Sequence, residues 1–167
     1  MESIDDAATV FLNGFSGNPV LDAITVAITK YGALVIVAAV AVRWWWCGAD
    51  KDRERHLAIL SGASVALGLA LNQVILLFVH RGRPYDAGLT HLLIPASADP
   101  SFPSDHATLG FAIALAMLGA GARRGWVFLI AAVILSASRV YVGTHYLSDV
   151  IGGALTGAMA AAYALAC

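Results

Sequence analysis

The stretch Leu57–Val79, LAILSGASVALGLALNQVILLFV, runs for 23 residues without a charged side chain. A helix needs about 20 consecutive, mainly apolar residues to cross a bilayer, so this segment reads as a transmembrane span. The rest of the chain agrees. Of 167 residues, 59% are hydrophobic and 13% are charged, with a mean hydropathy of +0.76. A soluble domain carries about 25% charged residues, so the deficit points to lipid as the solvent. The length predicts one domain over residues 1–167. The net charge of −1 gives no sign of a general affinity for nucleic acid.

Working outward, the predicted fold is an all-α, integral membrane helix bundle of about five transmembrane helices. A first span runs from about Val20 to Trp46, and a charged loop, CGADKDRERH, joins it to the Leu57–Val79 span. A polar stretch from His80 to Asp105 follows and holds four of the five prolines. A third span runs from near His106 to Gly121, and ARRGW turns the chain into a fourth, Val127 to about Val142. The fifth starts near Tyr146 and reaches the C-terminus. Ahead of them, residues 4–15 place Ile4, Ala7, Ala8, Phe11, Leu12 and Phe15 on one helical face. That segment is too short to span and is expected to be an interfacial or re-entrant helix. The acidic N-terminus, with Glu2, Asp5 and Asp6, is the reverse of a basic signal-peptide start. Cys47 and Cys167 lie in neither a metal-like nor a redox-like spacing.

Six of the ten Lys/Arg residues, Arg43, Lys51, Arg53, Arg55, Arg123 and Arg124, fall at one end of this topology. By the positive-inside rule that end is cytoplasmic. Trp44, Trp45, Trp46 and Trp126 cluster beside it, as interfacial anchors do. Lys30 and Asp22 lie in the first span, where they either sit near the interface or line a lipid groove.

The opposite end gathers the chemistry. Three polar clusters meet there: RGRP (Arg81–Pro84), PSDH (Pro103–His106) and SRVYVGTHYLSD (Ser138–Asp149). Arginines match phosphate oxygens bidentately and stay charged at any working pH. A Ser-Asp-His run opening a helix adds backbone N–H donors for an anion. Two histidines can divide nucleophile and general-acid work. His145 and Asp149 are four residues apart, which on a helix puts carboxylate and imidazole on one face. Ionisable groups at membrane depth are functional by default. His80 and His91 read as loop residues and His56 as solvated.

These spacings resemble the type 2 phosphatidic-acid phosphatase superfamily, whose signature is Lys-x6-Arg-Pro, then Pro-Ser-Gly-His, then Ser-Arg-x5-His-x3-Asp. Arg83-Pro84, Pro103-Ser104-Asp105-His106 and Ser138-Arg139 with His145 and Asp149 occupy the corresponding places. Two positions depart: the lysine falls at Leu76, and Asp105 replaces the glycine. Both departures, with LLIPASADPSFPSDHAT and VGTHYLSDVIGG, are similar to the bacitracin-resistance branch, the undecaprenyl-diphosphate phosphatases.

The resemblance implies a lipid phosphatase of a bacterial cytoplasmic membrane, acting at the extracytoplasmic face on a polyprenyl diphosphate, with no metal or other cofactor. It implies His145 as nucleophile, Asp149 as its orienting carboxylate and His106 as acid and then base. Arg83, Arg139 and Ser104 would hold the phosphate. Asp105 would either contact the phosphate or cap the helix. Arg81 is expected to supply the positive charge lost at Leu76. Alternatives are the same chemistry on phosphatidylglycerophosphate, phosphatidate or another lipid phosphate, and a phosphate-binding transporter or channel. A vanadium haloperoxidase with the same anion pocket is disfavoured, because those relatives are soluble.

Overall fold

A computed structural model describes residues 3–45 and 50–167. All regular structure among them is helical, in six helices: α1 Ile4–Asn13, α2 Pro19–Trp45, α3 Lys51–Leu76, α4 Asp105–Gly119, α5 Gly125–Tyr141 and α6 Leu147–Ala166. Trp46 and Cys47 lie outside the described residues. Helices α2, α3 and α6 are long and apolar enough to cross a membrane, while α4 and α5 are shorter apolar helices.

Local chemistry explains the ends. Ser3 and Asp6 form a reciprocal capping box that starts α1: Asp6 N donates to Ser3 Oγ and Ser3 N to Asp6 Oδ2, both at 3.1 Å. Pro19 occupies the first position of α2, where its missing N–H costs nothing. Helix α3 starts at Lys51, so six of the ten residues of the expected charged loop are helical. Asp52 and Glu54 sit in its first turn, where acidic side chains oppose the exposed N–H dipoles. Glu54 is also buried, and it accepts from Arg43 Nε of α2 at 2.7 Å and from the Arg124 guanidinium that precedes α5. One carboxylate thus ties three elements together at the basic end.

Helix α4 is central and packs against α3, α5 and α6. Its Ala107, Ala112, Ala114 and Ala116 are wholly buried. Small residues on α6 let the backbones meet: a Cβ at Gly157 would lie 2.6 Å from Thr108 O and 2.9 Å from Ala112 N. The main apolar core, with Ile36, Val40, Leu57, Ile113, Met117, Phe128 and Leu135, fills the half nearer the basic end. Large apolar side chains are left exposed along α2, α5 and α6, among them Leu34, Ile130 and Leu155, which suits contact with lipid. At the other end, the close of α3, the start of α4, the close of α5 and the start of α6 come together.

Candidate active site

The turn from α5 into α6 delivers two of the expected residues. Gly143 has φ +80°, and a Cβ there would lie 2.5 Å from His91 O, so both conformation and space demand glycine. His145 follows before α6 begins at Leu147, so the His145–Asp149 pair does not lie within one helix as the spacing suggested. The pair is joined through the turn instead, because Tyr146 N donates to Asp149 Oδ2 at 2.8 Å.

Both ring nitrogens of His145 are spoken for. Nδ1 lies 2.8 Å from Ser101 O, a carbonyl that can only accept. Nε2 lies 3.4 Å from Arg83 Nη1, a group that can only donate. The two neighbours therefore impose one tautomer, with the proton on Nδ1 and the lone pair on Nε2. Asp149 Oδ2 stands 3.5 Å from Nδ1, close enough for charge but longer than a hydrogen bond. Burial, joined by the positive charges of Arg139 and Arg83, pushes the His145 pKa down. Asp149 pulls the other way without cancelling the shift. The ring is neutral at neutral pH.

Asp149 is fully buried. Its Oδ2 also accepts from the Ser101 hydroxyl, and its Oδ1 accepts from Arg81 Nη1 at 2.8 Å. Ser101 thus holds the imidazole with its carbonyl and the carboxylate with its hydroxyl. Sequence reasoning missed it, since a loop serine acting partly through its backbone leaves no side-chain signal.

Arg83 is buried and anchored by carbonyls: Nε donates to Asp99 O at 2.9 Å and Nη1 to Thr144 O at 3.0 Å. Arg83, Asp105, His106, Arg139 and His145 line a single cleft of about 380 Å³ with Leu76, Gln73, Asp99 and Pro103. Leu76, the position of the family lysine, forms part of its apolar wall. Two buried donors in this region lack any protein partner, Ser104 Oγ and Arg139 Nε. Buried polar groups are otherwise almost always bonded, so orphans beside an arginine-lined cleft are what an anion would satisfy. Ser104 is the N-cap of α4 and makes no side-chain cap bond, leaving the first-turn amides of α4 uncapped as well.

Asp105 is the first helical residue rather than the cap. Its Oδ1 accepts from Asn72 Nδ2 at 2.7 Å, and the same amide donates to Thr108 Oγ1 at 2.9 Å. Asn72, a turn below Leu76 on α3, therefore braces the first turn of α4. Arg81 differs most from expectation, for it is absent from the cleft lining. Its guanidinium lies behind Asp149, donating to Asp5 Oδ2 at 2.6 Å, Ser148 Oγ at 2.6 Å and Asp149 Oδ1 at 2.8 Å. Two carboxylates hold it there, beside the cleft rather than in its lining. His91 contributes its backbone, bonded to Asn13, and Asp22 accepts from Tyr141 Oη at 2.8 Å, tying α2 to α5. Lys30 is exposed on α2, with Nζ 5.5 Å from the Tyr31 ring centre.

Comparison with known proteins adds the following. The PAP2 superfamily model matches residues 57–167. The undecaprenyl-diphosphatase BcrC of Bacillus subtilis (strain 168) is 41% identical over 135 residues, covering 81% of this chain and 68% of that protein. A putative undecaprenyl-diphosphatase of Escherichia coli (strain K12), YbjG, is 30% identical over 142 residues, covering 83% and 69%. The crystal structure of Aquifex aeolicus LpxE superposes with a TM-score of 0.81 at 22% identity, over 99% of this chain and 97% of that one, a likeness of fold.

Proposed function

The chain belongs to the PAP2 superfamily, and from that premise we propose how its cleft works. The protein is an integral membrane lipid phosphatase that hydrolyses undecaprenyl diphosphate to undecaprenyl phosphate and inorganic phosphate, as its likeness to undecaprenyl-diphosphatases supports. The observation that carries the mechanism is the fixed tautomer of His145, whose Nε2 lone pair faces the cleft beside Arg83.

His145 Nε2 attacks the terminal phosphorus, and the bond from that phosphorus to the bridging oxygen breaks. His106 gives its proton to the departing oxygen of undecaprenyl phosphate. The nucleophile is left as a phosphohistidine, with its positive charge offset by Asp149, 3.5 Å from Nδ1. His106, now neutral, takes a proton from water. The water oxygen attacks phosphorus, the P–N bond breaks and phosphate leaves. Arg83, Arg139, Ser104 Oγ and the first amides of α4 hold the three equatorial oxygens, whose charge such a transfer chiefly has to stabilise. The geometry supports Asp105 as a fixed wall of the cleft, clamped by Asn72.

The basic end, with Arg43, Lys51, Arg53, Arg55, Arg123 and Arg124, faces the cytoplasm of a bacterium, so the cleft opens on the extracytoplasmic side. Returning the diphosphate carrier to its monophosphate recycles it for cell-wall precursor export. It also removes the form that bacitracin sequesters.

The test is phosphate release by the purified protein in detergent and EDTA. Undecaprenyl diphosphate should be cleaved in preference to phosphatidylglycerophosphate and phosphatidate, and His145→Ala should abolish turnover by at least about 1,000-fold. A preference for a phospholipid monoester would overturn the substrate, and an active His145→Ala would overturn the mechanism.

A further inference from the structure

Helix α1 lies outside residues 57–167, the stretch matched by the superfamily, yet it reaches the back of the catalytic pair. Its polar residues Asp5, Thr9 and Asn13 recur every fourth position, so they share one face. Every one of them is bonded to the scaffold of the site. Asp5 Oδ1 accepts from Ser148 N at 2.9 Å, and its Oδ2 accepts from Ser148 Oγ and Arg81 Nη2, each at 2.6 Å. Thr9, fully buried, accepts from Leu147 N at 3.0 Å. Asn13 donates to Tyr141 O at 2.7 Å and to His91 O at 2.9 Å, and accepts from His91 N at 2.7 Å.

Leu147 and Ser148 open α6, and their amides have no partner within that helix. Helix α1 caps α6 from outside, immediately before Asp149. Asp5 also holds the far side of Arg81, whose near side is bonded to Asp149 and whose guanidinium lies 3.8 Å from the Tyr146 ring centre. The order in space is therefore Asp5, Arg81, Asp149, His145. Remove the charge of Asp5 and both arms of Arg81 become available to Asp149. The carboxylate would then be drawn away from Nδ1 and its charge more fully neutralised.

We propose that Asp5 and Arg81 form a positioning pair for the phosphatase reaction, acting through Asp149 on the nucleophile without touching phosphate. The proposal rests on the reading of His145 as nucleophile. It makes α1 part of the catalytic apparatus, and it gives Arg81 a role different from that of Arg83, which lines the cleft.

Steady-state kinetics of the protein on undecaprenyl diphosphate test it. In Asp5→Asn and in Arg81→Gln, kcat falls roughly tenfold while KM stays within about twofold, the signature of a group that acts on the transition state alone. The double variant is no worse than either single one, because both interrupt the same link. Asp52→Asn removes the same charge at the exposed start of α3, at the opposite end of the bundle, and keeps wild-type kinetics. Unchanged kcat in Asp5→Asn overturns the proposal. A rise in KM with kcat intact in Arg81→Gln also overturns it, and restores Arg81 as a phosphate ligand. A wild-type protein inactive on this lipid would instead refute the function, and a second readout covers that case. In protein with 15N-labelled histidine rings, Asp5→Asn shifts the His145 titration midpoint by at least about 0.3 units, whereas an identical titration refutes the pair.

Discussion

At His145 the neighbours leave each nitrogen one role, and the consequence is a prediction about acid. A histidine in water titrates near 6.5. Here burial and the adjacent Arg139 and Arg83 lower that value, so the ring stays neutral, with its lone pair on Nε2, to a pH below the usual range. Protonation removes the nucleophile, hence the acidic limb of kcat/KM falls as pH drops through this lowered value, while the alkaline limb belongs to the proton that His106 must carry. A profile of kcat/KM against pH checks it: the acidic limb should bend below about 6.5, and a midpoint at or above that refutes the depressed pKa. At this scale the motif residues were legible, because a spacing of arginines, histidines and a carboxylate carries its chemistry in the side chains. What fixes them was not. Ser101 acts through a carbonyl as well as a hydroxyl, and the Asn72–Gln73 pair is visible in its apolar span without showing that Asn72 grips Asp105 and Thr108. Where Arg81 lies was not legible either, because sequence gives its charge but not the two carboxylates that hold it.

Between elements, the position of His106 depends on how closely α4 lies on α6. Gly157 sits against the backbone of Thr108 and Ala112, and backbone cannot rotate out of the way as a side chain can. Beside that contact, Thr108 Oγ1 meets Thr156 Oγ1 at 2.9 Å and receives the Asn72 amide, so separating the helices also opens a buried polar network. Gly157→Val is therefore expected to destabilise the protein by about 2 kcal/mol or more and to lower kcat by displacing the start of α4. Thermal unfolding in detergent, together with turnover below the transition, would read both. An unchanged melting temperature would show that the helices can part without cost. The spans themselves were legible to within a few residues, since a run of apolar side chains is a strong signal. The first turns of α3 were not, because KDRERH reads as loop until Glu54 is seen buried between Arg43 and Arg124. Helix α1 was half legible. Its apolar face announced an interfacial helix, while the stripe of Asp5, Thr9 and Asn13 gains meaning only from what it touches.

Over the whole molecule, charge and helix length together say where the reaction happens. Helix α4 has 15 residues and so rises about 22 Å, short of the roughly 30 Å hydrocarbon core. Its far end is held level with the first turns of α3, where Arg53 Nη2 donates to Gly121 O at 3.3 Å. With that basic end at one interface, Asp105 and His106 lie below the opposite surface, and the diphosphate headgroup must be drawn inward to meet them. The proposed extracytoplasmic side rests on the positive-inside rule, and labelling tests it. In a background with Cys47→Ser and Cys167→Ser, Ala96→Cys lies on the exposed loop between α3 and α4, and Lys51→Cys lies at the exposed start of α3. A membrane-impermeant thiol reagent applied to intact cells is expected to modify Ala96→Cys and to reach Lys51→Cys only after the membrane is opened. The reverse pattern would put the cleft on the cytoplasmic side, where it would meet newly made carrier lipid rather than the diphosphate released after export.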